Sequence, residues 1–178
     1  MIELMTERLY IRGFHTDDWM DLYEYLSDKK VIKYEPYDAF TEEESRLEAV
    51  KRSKNENFYA VCIRETGKVI GNLYFSEQEF GTWELGYVFN ANYQGKGYAS
   101  EAAAALLEDA FKNQGVRRVT ALCNPENHAS WRLLERLGMR REGHLLQNVF
   151  FRKDEKGNPL WQDTYEYAIL SDEWNRTN

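Results

Sequence analysis

The sequence predicts a single α/β domain in which a mixed central sheet is flanked by helices. Segments with strand-like alternation of apolar and polar residues are interleaved with segments of helical periodicity. In addition, no Pro-, Gly- or Ser-rich linker divides the 178 residues. A chain of this length can bury a core without disulfides or a structural metal. We therefore expect one domain over residues 1–178, with its elements in the order β-α-α-β-β-β-α-β-α-β-β.

The first half of the chain predicts one strand, two helices and then an antiparallel unit. Thr41 and Glu44 have the spacing of a capping box, which marks the start of the second helix. A polar turn ending in Gly67 separates two β-rich runs, as in a hairpin. The expected elements are a strand over 8–14, a helix from the N-cap Thr16 to Leu26, an irregular aromatic segment over 29–40, a helix from Thr41 to Ser53, and strands over 57–64, 68–76 and 82–90.

The second half predicts a crossover helix followed by a final hairpin. Gly115 follows an alanine-rich helical segment, where glycine commonly ends a helix. Asn127 is placed to cap a further helix that stops at Gly138. The expected elements are a helix over 101–114, a strand over 116–123, a helix from Asn127 to Gly138, and long β-type stretches over 139–152 and 160–170 joined by the turn at 154–158.

Composition excludes several classes of protein. The 23 Lys and Arg against 30 Asp and Glu give a net charge of −7, which disfavours a nucleic-acid binder and favours a cationic ligand. The only cysteines, Cys62 and Cys123, lie far apart in apolar runs, and no histidine pair has ligand spacing, so we expect reduced thiols and no metal site. The N-terminal residues 1–7 lack the pattern of a signal peptide, and no apolar run is long enough for a membrane span. We expect a cytoplasmic protein without a membrane partner.

A glycine-rich segment between a strand and a helix has the features of an anion site. Gly95 and Gly97 let the backbone approach a phosphate closely, and the free N–H groups of the helix start point toward it. The segment does not match the Gly-x-x-x-x-Gly-Lys-Ser/Thr of a P-loop. It also lacks the third glycine of a dinucleotide fingerprint, because Ser100 stands there.

The segment does match a third pattern, Gln/Arg-x-x-Gly-x-Gly/Ala, at Gln94, Gly97 and Ala99. It follows the strand Glu-Leu-Gly-Tyr-Val-Phe, and one strand later come Asn127-x-x-Ser130 and Leu-Leu-Glu-Arg-Leu-Gly-Met over 133–139. With these motifs the sequence resembles the GNAT superfamily of acyl-CoA-dependent N-acetyltransferases. The opening Thr-Glu-Arg-Leu-Tyr-Ile-Arg over 6–12 and the closing residues 161–170 are similar to the branch of ribosomal-protein-alanine N-acetyltransferases. The resemblance covers nearly the whole chain.

The resemblance implies a set of residues that bind acetyl-CoA. The pyrophosphate would be cradled by the segment Gln94, Gly95, Lys96, Gly97, Tyr98, Ala99 and Ser100. The pantetheine arm would lie along Tyr87, Val88 and Phe89, bonded as an added strand is. Asn127 would bond the pantetheine or the new amide, and an N-cap role is compatible with this.

Two catalytic residues are expected on the same basis. Many members of the family have a tyrosine in the last helix that donates a proton to the departing thiolate, but Leu134 occupies that place here. The resemblance therefore implies Ser130 as the donor, with a surface serine as the alternative. For the base we expect Glu84, on the strand before the glycine segment, with a raised pKa beside Trp83 and Tyr87. A structural carboxylate paired with an arginine is the alternative, and Glu35, Asp163, Glu166 or water are the other candidates for the base.

The function expected from these residues is transfer of an acetyl group from acetyl-CoA to a primary amine, directly in a ternary complex. The acceptor is either a protein N-terminal α-amine or a small amine such as a polyamine, an amino acid or an amine drug. A non-catalytic acyl-CoA sensor is the alternative from another class. Dimers are common in the family, so a homodimer is among the expectations.

Overall fold

A computed structural model describes residues 3–177 as an eight-stranded sheet with helices on both faces. The N-terminal elements are β1 (Leu4–Met5), β2 (Leu9–Gly13), α1 (Trp19–Leu26), α2 (Glu42–Ser53), β3 (Phe58–Ile63), β4 (Val69–Glu77) and β5 (Thr82–Phe89). The C-terminal elements are α3 (Tyr98–Lys112), β6 (Arg118–Cys123), α4 (His128–Arg136), β7 (Arg140–Val149), β8 (Gln162–Leu170) and α5 (Ser171–Thr177). The mixed sheet and flanking helices confirm the predicted fold class. That one domain extends over 1–178 stays a prediction, since residues 1, 2 and 178 lie outside the described residues.

The sheet runs in the order β1-β2-β3-β4-β5-β6-β8-β7. All neighbouring strands are antiparallel except β5 and β6, which are parallel and are joined through α3. The single crossover therefore lies where the sequence predicted it. A parallel pair requires such a connection, because its chain must return to the same end of the sheet.

Each face of the sheet carries its own apolar core. One core packs α3 and α4 against the sheet through residues such as Leu106, Leu107 and Leu134, all fully buried. The other core packs α1 and α2 on the opposite face through Leu22, Tyr25 and Ala49. The irregular segment over 29–40 forms no regular helix or strand and contributes Ile32 to this second core. The segment is thus held against the sheet although it is irregular.

Several caps occur as the sequence predicted. In the capping box of α2, the Glu44 N–H donates to Thr41 Oγ1 at 3.2 Å and the Thr41 N–H donates to Glu44 Oε2 at 2.7 Å. Gly115 and Gly138 follow α3 and α4 with φ of 68° and 78°, values that favour glycine.

The prediction that Thr16 caps the first helix is wrong. Thr16 begins a short 3₁₀ turn, and α1 starts only at Trp19. Asp18 closes this turn instead: its carboxylate accepts from the His15 N–H at 2.7 Å and pairs with both terminal nitrogens of Arg12 at 2.8 Å. The bidentate pair with a strand residue outweighs the local preference of threonine for a cap position.

Other boundaries also differ from the predictions. The crossover helix begins at Tyr98, three residues earlier than expected, because Gly97 supplies the left-handed residue that precedes it. The last long strand segments are shorter than expected: β7 ends at Val149 after register shifts, and Gln147 has a φ of 45°. The short strand β1 and the terminal helix α5 were not predicted, since each is only a few residues long.

Candidate active site

Strands β5 and β6 separate after a short paired stretch. Their register joins only Thr82 with Arg118, Trp83 with Val119 and Glu84 with Thr120, whereas β5 stays paired with β4 as far as Phe89. In the described chain, residues 85–89 therefore have no strand partner on the β6 side. Except for Phe89 O, which accepts from the Gln94 side chain at 2.8 Å, their outward N–H and C=O groups are available to a ligand, since unpaired backbone groups inside a protein need a partner.

Gly71 on β4 allows β5 to run in this position. A Cβ added at Gly71 would lie 2.6 Å from both Val88 O and the Phe89 ring. These distances are shorter than any real carbon contact, so a side chain at residue 71 would push β5 away. The position of the open edge thus depends on a glycine in the neighbouring strand.

The glycine segment turns directly into the first turn of α3. Gly97 has a φ of 82° and precedes Tyr98, the first helical residue. The first N–H groups of a helix have no partner inside the helix, and those of Tyr98, Ala99 and Ser100 belong to this class. The helix dipole adds partial positive charge at this end. These are the backbone features that the predicted pyrophosphate cradle requires, and the binding of a pyrophosphate at this segment stays a prediction.

Arg8 contacts the glycine segment and the first turn of α3 through its side chain. Its guanidinium donates to Lys96 O at 3.0 Å and to Glu101 Oε2 at 2.6 Å, and its carbon Cζ lies 4.4 Å from the centre of the Tyr98 ring. Gln94 fixes the other end of the segment, because its amide donates to Phe89 O at 2.8 Å. The cradle is therefore tied to β2 and to the end of β5.

A first cavity of about 630 Å³ lies between the open edge of β5 and the start of α3. It includes all but one of the predicted cofactor-binding residues. Its lining residues are Lys30, Val31, Tyr34, Glu35, Tyr87, Val88, Phe89, Tyr93, Gln94, Gly95, Gly97, Tyr98, Ala99, Ser100, Asn127, Ala129, Ser130, Leu133 and Arg136. The exception, Lys96, donates from its ammonium to Asn92 O at 2.9 Å and does not line the cavity.

Arg136 is a cavity residue that the sequence analysis missed. Its Nη2 donates to Ser100 Oγ at 3.4 Å, which places a cation beside the start of α3. The signal was present in the sequence, since Ser130, Leu133 and Arg136 are three residues apart and such residues share a helix face. Lys30 is a second missed cation in the lining.

A second cavity of about 750 Å³ opens on the other side of the same edge. Six residues line both cavities, which therefore meet at the open part of β5: Tyr34, Glu35, Tyr87, Val88, Asn127 and Ser130. The residues that line the second cavity alone are Pro36, Tyr37, Phe40, Glu48, Lys51, Arg52, Asn55, Phe58, Asn72, Tyr74, Glu84, Leu85, Gly86, Leu122, Cys123, Asn124 and Phe151.

The segment 29–40 is fastened to two other parts of the chain. Arg152 donates to Lys33 O at 3.2 Å and to Tyr37 O at 3.1 Å. The Tyr34 hydroxyl donates to Glu126 O at 3.2 Å, just before α4. These bonds fix the wall that Tyr34 and Tyr37 contribute to the second cavity.

Three carboxylates line the second cavity, and one of them, Glu48, is paired with Lys51 and Arg52. The other two are Glu84 and Glu35. Glu84 is partly buried and has no ion-pair partner among residues 3–177, and its burial raises the pKa. The predicted alternative, a structural pair with an arginine, is therefore not observed in the described chain. Glu35 lies at the junction of the two cavities, where burial raises its pKa to about 7 against smaller effects of Tyr37 and Arg52. A carboxylate with a pKa near neutrality suits a general base.

The other two candidate carboxylates lie outside both cavities. Asp163 accepts from the Gln147 N–H and is bonded to His144 Nε2, each at 2.8 Å, and these bonds lower its pKa. Glu166 is paired within the sheet opposite Leu122 and Gly143. Neither residue is placed by the structure near the open edge of β5.

The hydroxyl and amide groups at the junction contact one another. Asn127 caps α4, since its Oδ1 accepts from the Ser130 N–H at 3.3 Å. Ser130 Oγ lies 2.8 Å from the hydroxyl oxygen of Tyr87, a contact that the sequence did not indicate. Leu134 is fully buried in the core, and burial raises the pKa of the Cys123 thiol to about 11. The Cys123 thiol is therefore a poor nucleophile here.

Comparisons with known proteins agree with the fold. Residues 8–140 match the family model described as an acetyltransferase (GNAT) domain. The chain is 46% identical over 179 residues to the uncharacterized N-acetyltransferase YnaD of Bacillus subtilis (strain 168), covering 98% of this chain and 100% of that protein. It is 24% identical to the [ribosomal protein uS5]-alanine N-acetyltransferase of Escherichia coli (strain K12), covering 97% and 93%.

A solved structure gives the same result. An acetyltransferase of the GNAT family from Bacillus anthracis superposes with a TM-score of 0.88 at 40% identity, covering 96% of this chain and 99% of that one. Within residues 3–177, none of the helices has both the length and the apolar character to cross a membrane. The family match, the shared fold and the junction of two cavities at the open edge of β5 lead to one conclusion: this chain belongs to the GNAT family of acetyltransferases.

Proposed function

We propose that this protein transfers an acetyl group from acetyl-CoA to a primary amine, directly and in a ternary complex. The observation that carries the proposal is the meeting of the two cavities at residues 87 and 88 of β5. A cofactor in the first cavity and an amine in the second would meet there without a covalent enzyme intermediate. Such an arrangement lowers the barrier by holding both reactants in contact.

In this proposal the first cavity holds coenzyme A. The N–H groups at the start of α3 and the guanidinium of Arg136 bind the phosphates. The open edge at Tyr87, Val88 and Phe89 bonds the pantetheine arm as a strand would. Asn127 supplies its free amide nitrogen beside the same arm, because only its oxygen is used in capping α4.

The acceptor amine must lose a proton before it attacks. An α-amine has a pKa of about 8 and a lysine-type amine about 10.4, so both are mostly protonated near neutrality. We assign the role of proton acceptor to Glu35, which lies where the cavities meet. Glu84, two residues before Gly86 on β5, then holds the incoming ammonium. The opposite assignment, with Glu84 as the base, is the prediction from sequence, and the pH profiles in the Discussion separate the two.

The thiolate that departs needs a hydrogen-bond donor. Ser130 supplies it in this proposal, since it lines both cavities from the first turn of α4. A thiol of the cysteine type has a pKa of about 8.5, so a thiolate is already a fair leaving group and the donor is expected to contribute moderately.

The lining of the second cavity favours a cationic acceptor. Glu35 and Glu84 have no salt bridge within the described chain, while Arg52 already pairs with Glu48. The aromatic ring of Tyr37 adds a face that attracts a cation, whereas the Tyr34 ring already has the Lys33 ammonium 4.7 Å from its centre. Both an N-terminal α-amine, as in the uS5-alanine relative, and a small amine satisfy these conditions.

An acceptor panel tests the transfer itself. Coenzyme A release from acetyl-CoA is measured with peptides that begin with Ala or Ser, with spermidine and with aminoglycosides. Amine-dependent release supports the proposal. Tight binding of coenzyme A without release in the presence of any of these amines would favour the acyl-CoA sensor.

A pair of variants tests the cofactor site. Coenzyme A should raise the melting temperature, by linkage of about 2.7 kcal/mol at a hundredfold excess over its Kd. Arg136→Ala should reduce this shift, because it removes the cation inside the cavity. Lys96→Ala removes an equal charge that is turned toward Asn92, so it should reduce the shift less. An equal effect of both variants, or no shift in the wild type, would contradict the assigned phosphate site.

A further inference from the structure

Tyr87 and Ser130 form a contact between two separate elements at the junction of the cavities. The Tyr87 hydroxyl on β5 lies 2.8 Å from Ser130 Oγ and 3.1 Å from Ser130 O, both in the first turn of α4. Both residues line both cavities. The contact therefore lies where the sulfur of a bound thioester and the acceptor amine must come together.

Two arrangements of this hydrogen bond are open, because either hydroxyl can be the donor in the contact between Tyr87 and Ser130 Oγ. Burial raises the pKa of the Tyr87 phenol well above its usual range, so the hydroxyl keeps its single proton at neutral pH. The Ser130 carbonyl lies inside α4, where it is the acceptor for the N–H four residues later. That carbonyl oxygen has a second lone pair, to which the tyrosine hydroxyl donates at 3.1 Å in one arrangement. In the other arrangement, on which the proposal below rests, the tyrosine donates to Ser130 Oγ at the shorter distance. With its oxygen occupied by this bond, Ser130 has its own proton free to donate.

Two acceptors compete for the Ser130 proton. Burial raises the pKa of the Cys123 thiol to about 11 against a smaller lowering effect of Ser130, so the thiol remains protonated. A neutral thiol is a weak acceptor, whereas a thiolate is charged and attracts a donor more strongly. The Ser130 hydroxyl would therefore donate its hydrogen bond to a leaving thiolate in preference to the Cys123 thiol.

We propose that Tyr87 is a positioning residue whose hydroxyl aims the Ser130 O–H at the sulfur of coenzyme A; the proposal rests on the function proposed above. In the transfer, the amine nitrogen forms the new bond to the acetyl carbon and gives its proton to a carboxylate. The carbon–sulfur bond breaks, and the sulfur leaves with the electron pair as a thiolate. Ser130 stabilises that charge by a hydrogen bond, and Tyr87 on β5 orients the Ser130 hydroxyl. A tyrosine at residue 134 would have donated to the sulfur itself, without this second residue.

The first test needs no turnover. The thiol of bound coenzyme A is titrated by the ultraviolet absorbance of its thiolate between pH 7 and 9.5, against enzyme alone. Cys62 and Cys123 are silent in this range, because burial raises the pKa of each thiol to about 11. A hydrogen bond to the thiolate lowers the thiol pKa, so Tyr87→Phe and Ser130→Ala should each raise it, by about one pH unit for Ser130→Ala.

The second test is a double-mutant cycle on kcat. Tyr87→Phe should lower kcat about tenfold, the effect of about one hydrogen bond, with little change in the KM for acetyl-CoA. In a Ser130→Ala background the same change should have no further effect. Tyr167→Phe is the matched control: it removes a hydroxyl that bonds Glu135 of the same helix at 3.0 Å, outside both cavities, and should leave kcat and the thiol pKa unchanged.

The outcomes distinguish this proposal from the proposed function. If Tyr87→Phe leaves the bound thiol pKa at the wild-type value, or lowers kcat equally with and without Ser130, the positioning role is refuted. Acetyl transfer by the wild type is a separate measurement that this result does not change. If the wild type transfers no acetyl group to any amine, the proposed function fails, and the thiol titration still decides whether Tyr87 acts through Ser130.

Discussion

Glu35→Gln should make the protein more stable above neutral pH and much less active. Burial raises the Glu35 pKa from 4.5 to about 7, so the folded protein disfavours the charged carboxylate. Between these two pH values the folded state binds more protons than the unfolded state, and stability falls as pH rises through this window. A shift of this size corresponds to about 3 kcal/mol. Glutamine keeps the shape of the side chain and removes the charge, so it removes the penalty.

The magnitude can be measured by thermal unfolding at two pH values. Relative to the wild type, Glu35→Gln should gain about 3 kcal/mol between pH 4 and pH 8. For a chain of this length that is a relative increase in Tm of about 6–12 °C. Glu84→Gln serves as the comparison, because Glu84 is less enclosed and faces the second cavity alone. An equal gain in stability between pH 4 and pH 8 for both variants would show that Glu35 is not the more desolvated carboxylate.

The activity of the same variant should depend on pH in a different way. In the wild type, kcat/KM should increase about tenfold between pH 6 and pH 8, because the base must be unprotonated and its pKa is about 7. Glu35→Gln should lower kcat/KM at pH 7 by about 10²–10⁴-fold. Its remaining activity should keep rising toward the pKa of the amine, since an unprotonated acceptor needs no base. If Glu35→Gln keeps the kcat/KM of the wild type and the same levelling-off of kcat/KM above pH 7, Glu35 is not the proton acceptor.

Three further changes test other parts of the site. Glu84→Gln should raise the KM for a cationic acceptor and keep the plateau near pH 7, as measured by kinetics over pH; loss of the plateau would identify Glu84 as the base. Arg152→Ala should release the segment 29–40 and raise the KM for the acceptor severalfold, without changing the increase in melting temperature that coenzyme A causes. Arg64→Ala is the control: Arg64 is an exposed residue of equal charge that donates to Thr6 O, and its removal should alter neither quantity. Gly71→Ala should destabilise the protein by about 1–3 kcal/mol in thermal melts, because its Cβ would lie 2.6 Å from Val88 O. Gly86→Ala is the control and should be tolerated, because the nearest atom to its Cβ is at 3.5 Å. Equal stability of the two alanine variants would show that β5 can shift freely.

The parts of the fold that depend on neighbouring residues in the chain were predictable from sequence. The Thr41 capping box, the glycine ends of α3 and α4 and the Gly97 segment all act within a few residues, so their patterns are visible in the sequence. The Thr16 prediction failed because a contact from β2, the Arg12–Asp18 pair, determined the local structure. Local preference is a weak guide where a tertiary contact competes with it.

The candidate site divides in the same way. Residues 94–100 were identifiable because a strand, a glycine segment and a helix follow one another directly. The contact of Tyr87 with Ser130 joins residues 43 apart, and the location of Glu35 depends on how an irregular segment is fastened by Arg152. Neither leaves a periodic pattern in the sequence. The separation of β5 from β6 is likewise a property of two strands and not of either strand alone.

The gap between β5 and β6 also selects the shape of what can enter the sheet. Adjacent strands lie about 4.8 Å apart, so a slot that accepts one extra chain between two strands admits an extended, unbranched molecule and excludes a bulky one. The peptide groups along the edge of β5 are spaced as in any strand, so a ligand with amide groups at similar intervals forms hydrogen bonds along its length. The slot lies between two interior strands of the sheet, β5 and β6, beyond the residues at which they pair. An unpaired strand edge can pair with another chain and so promote aggregation, and a ligand bound in this slot would cover the edge of β5.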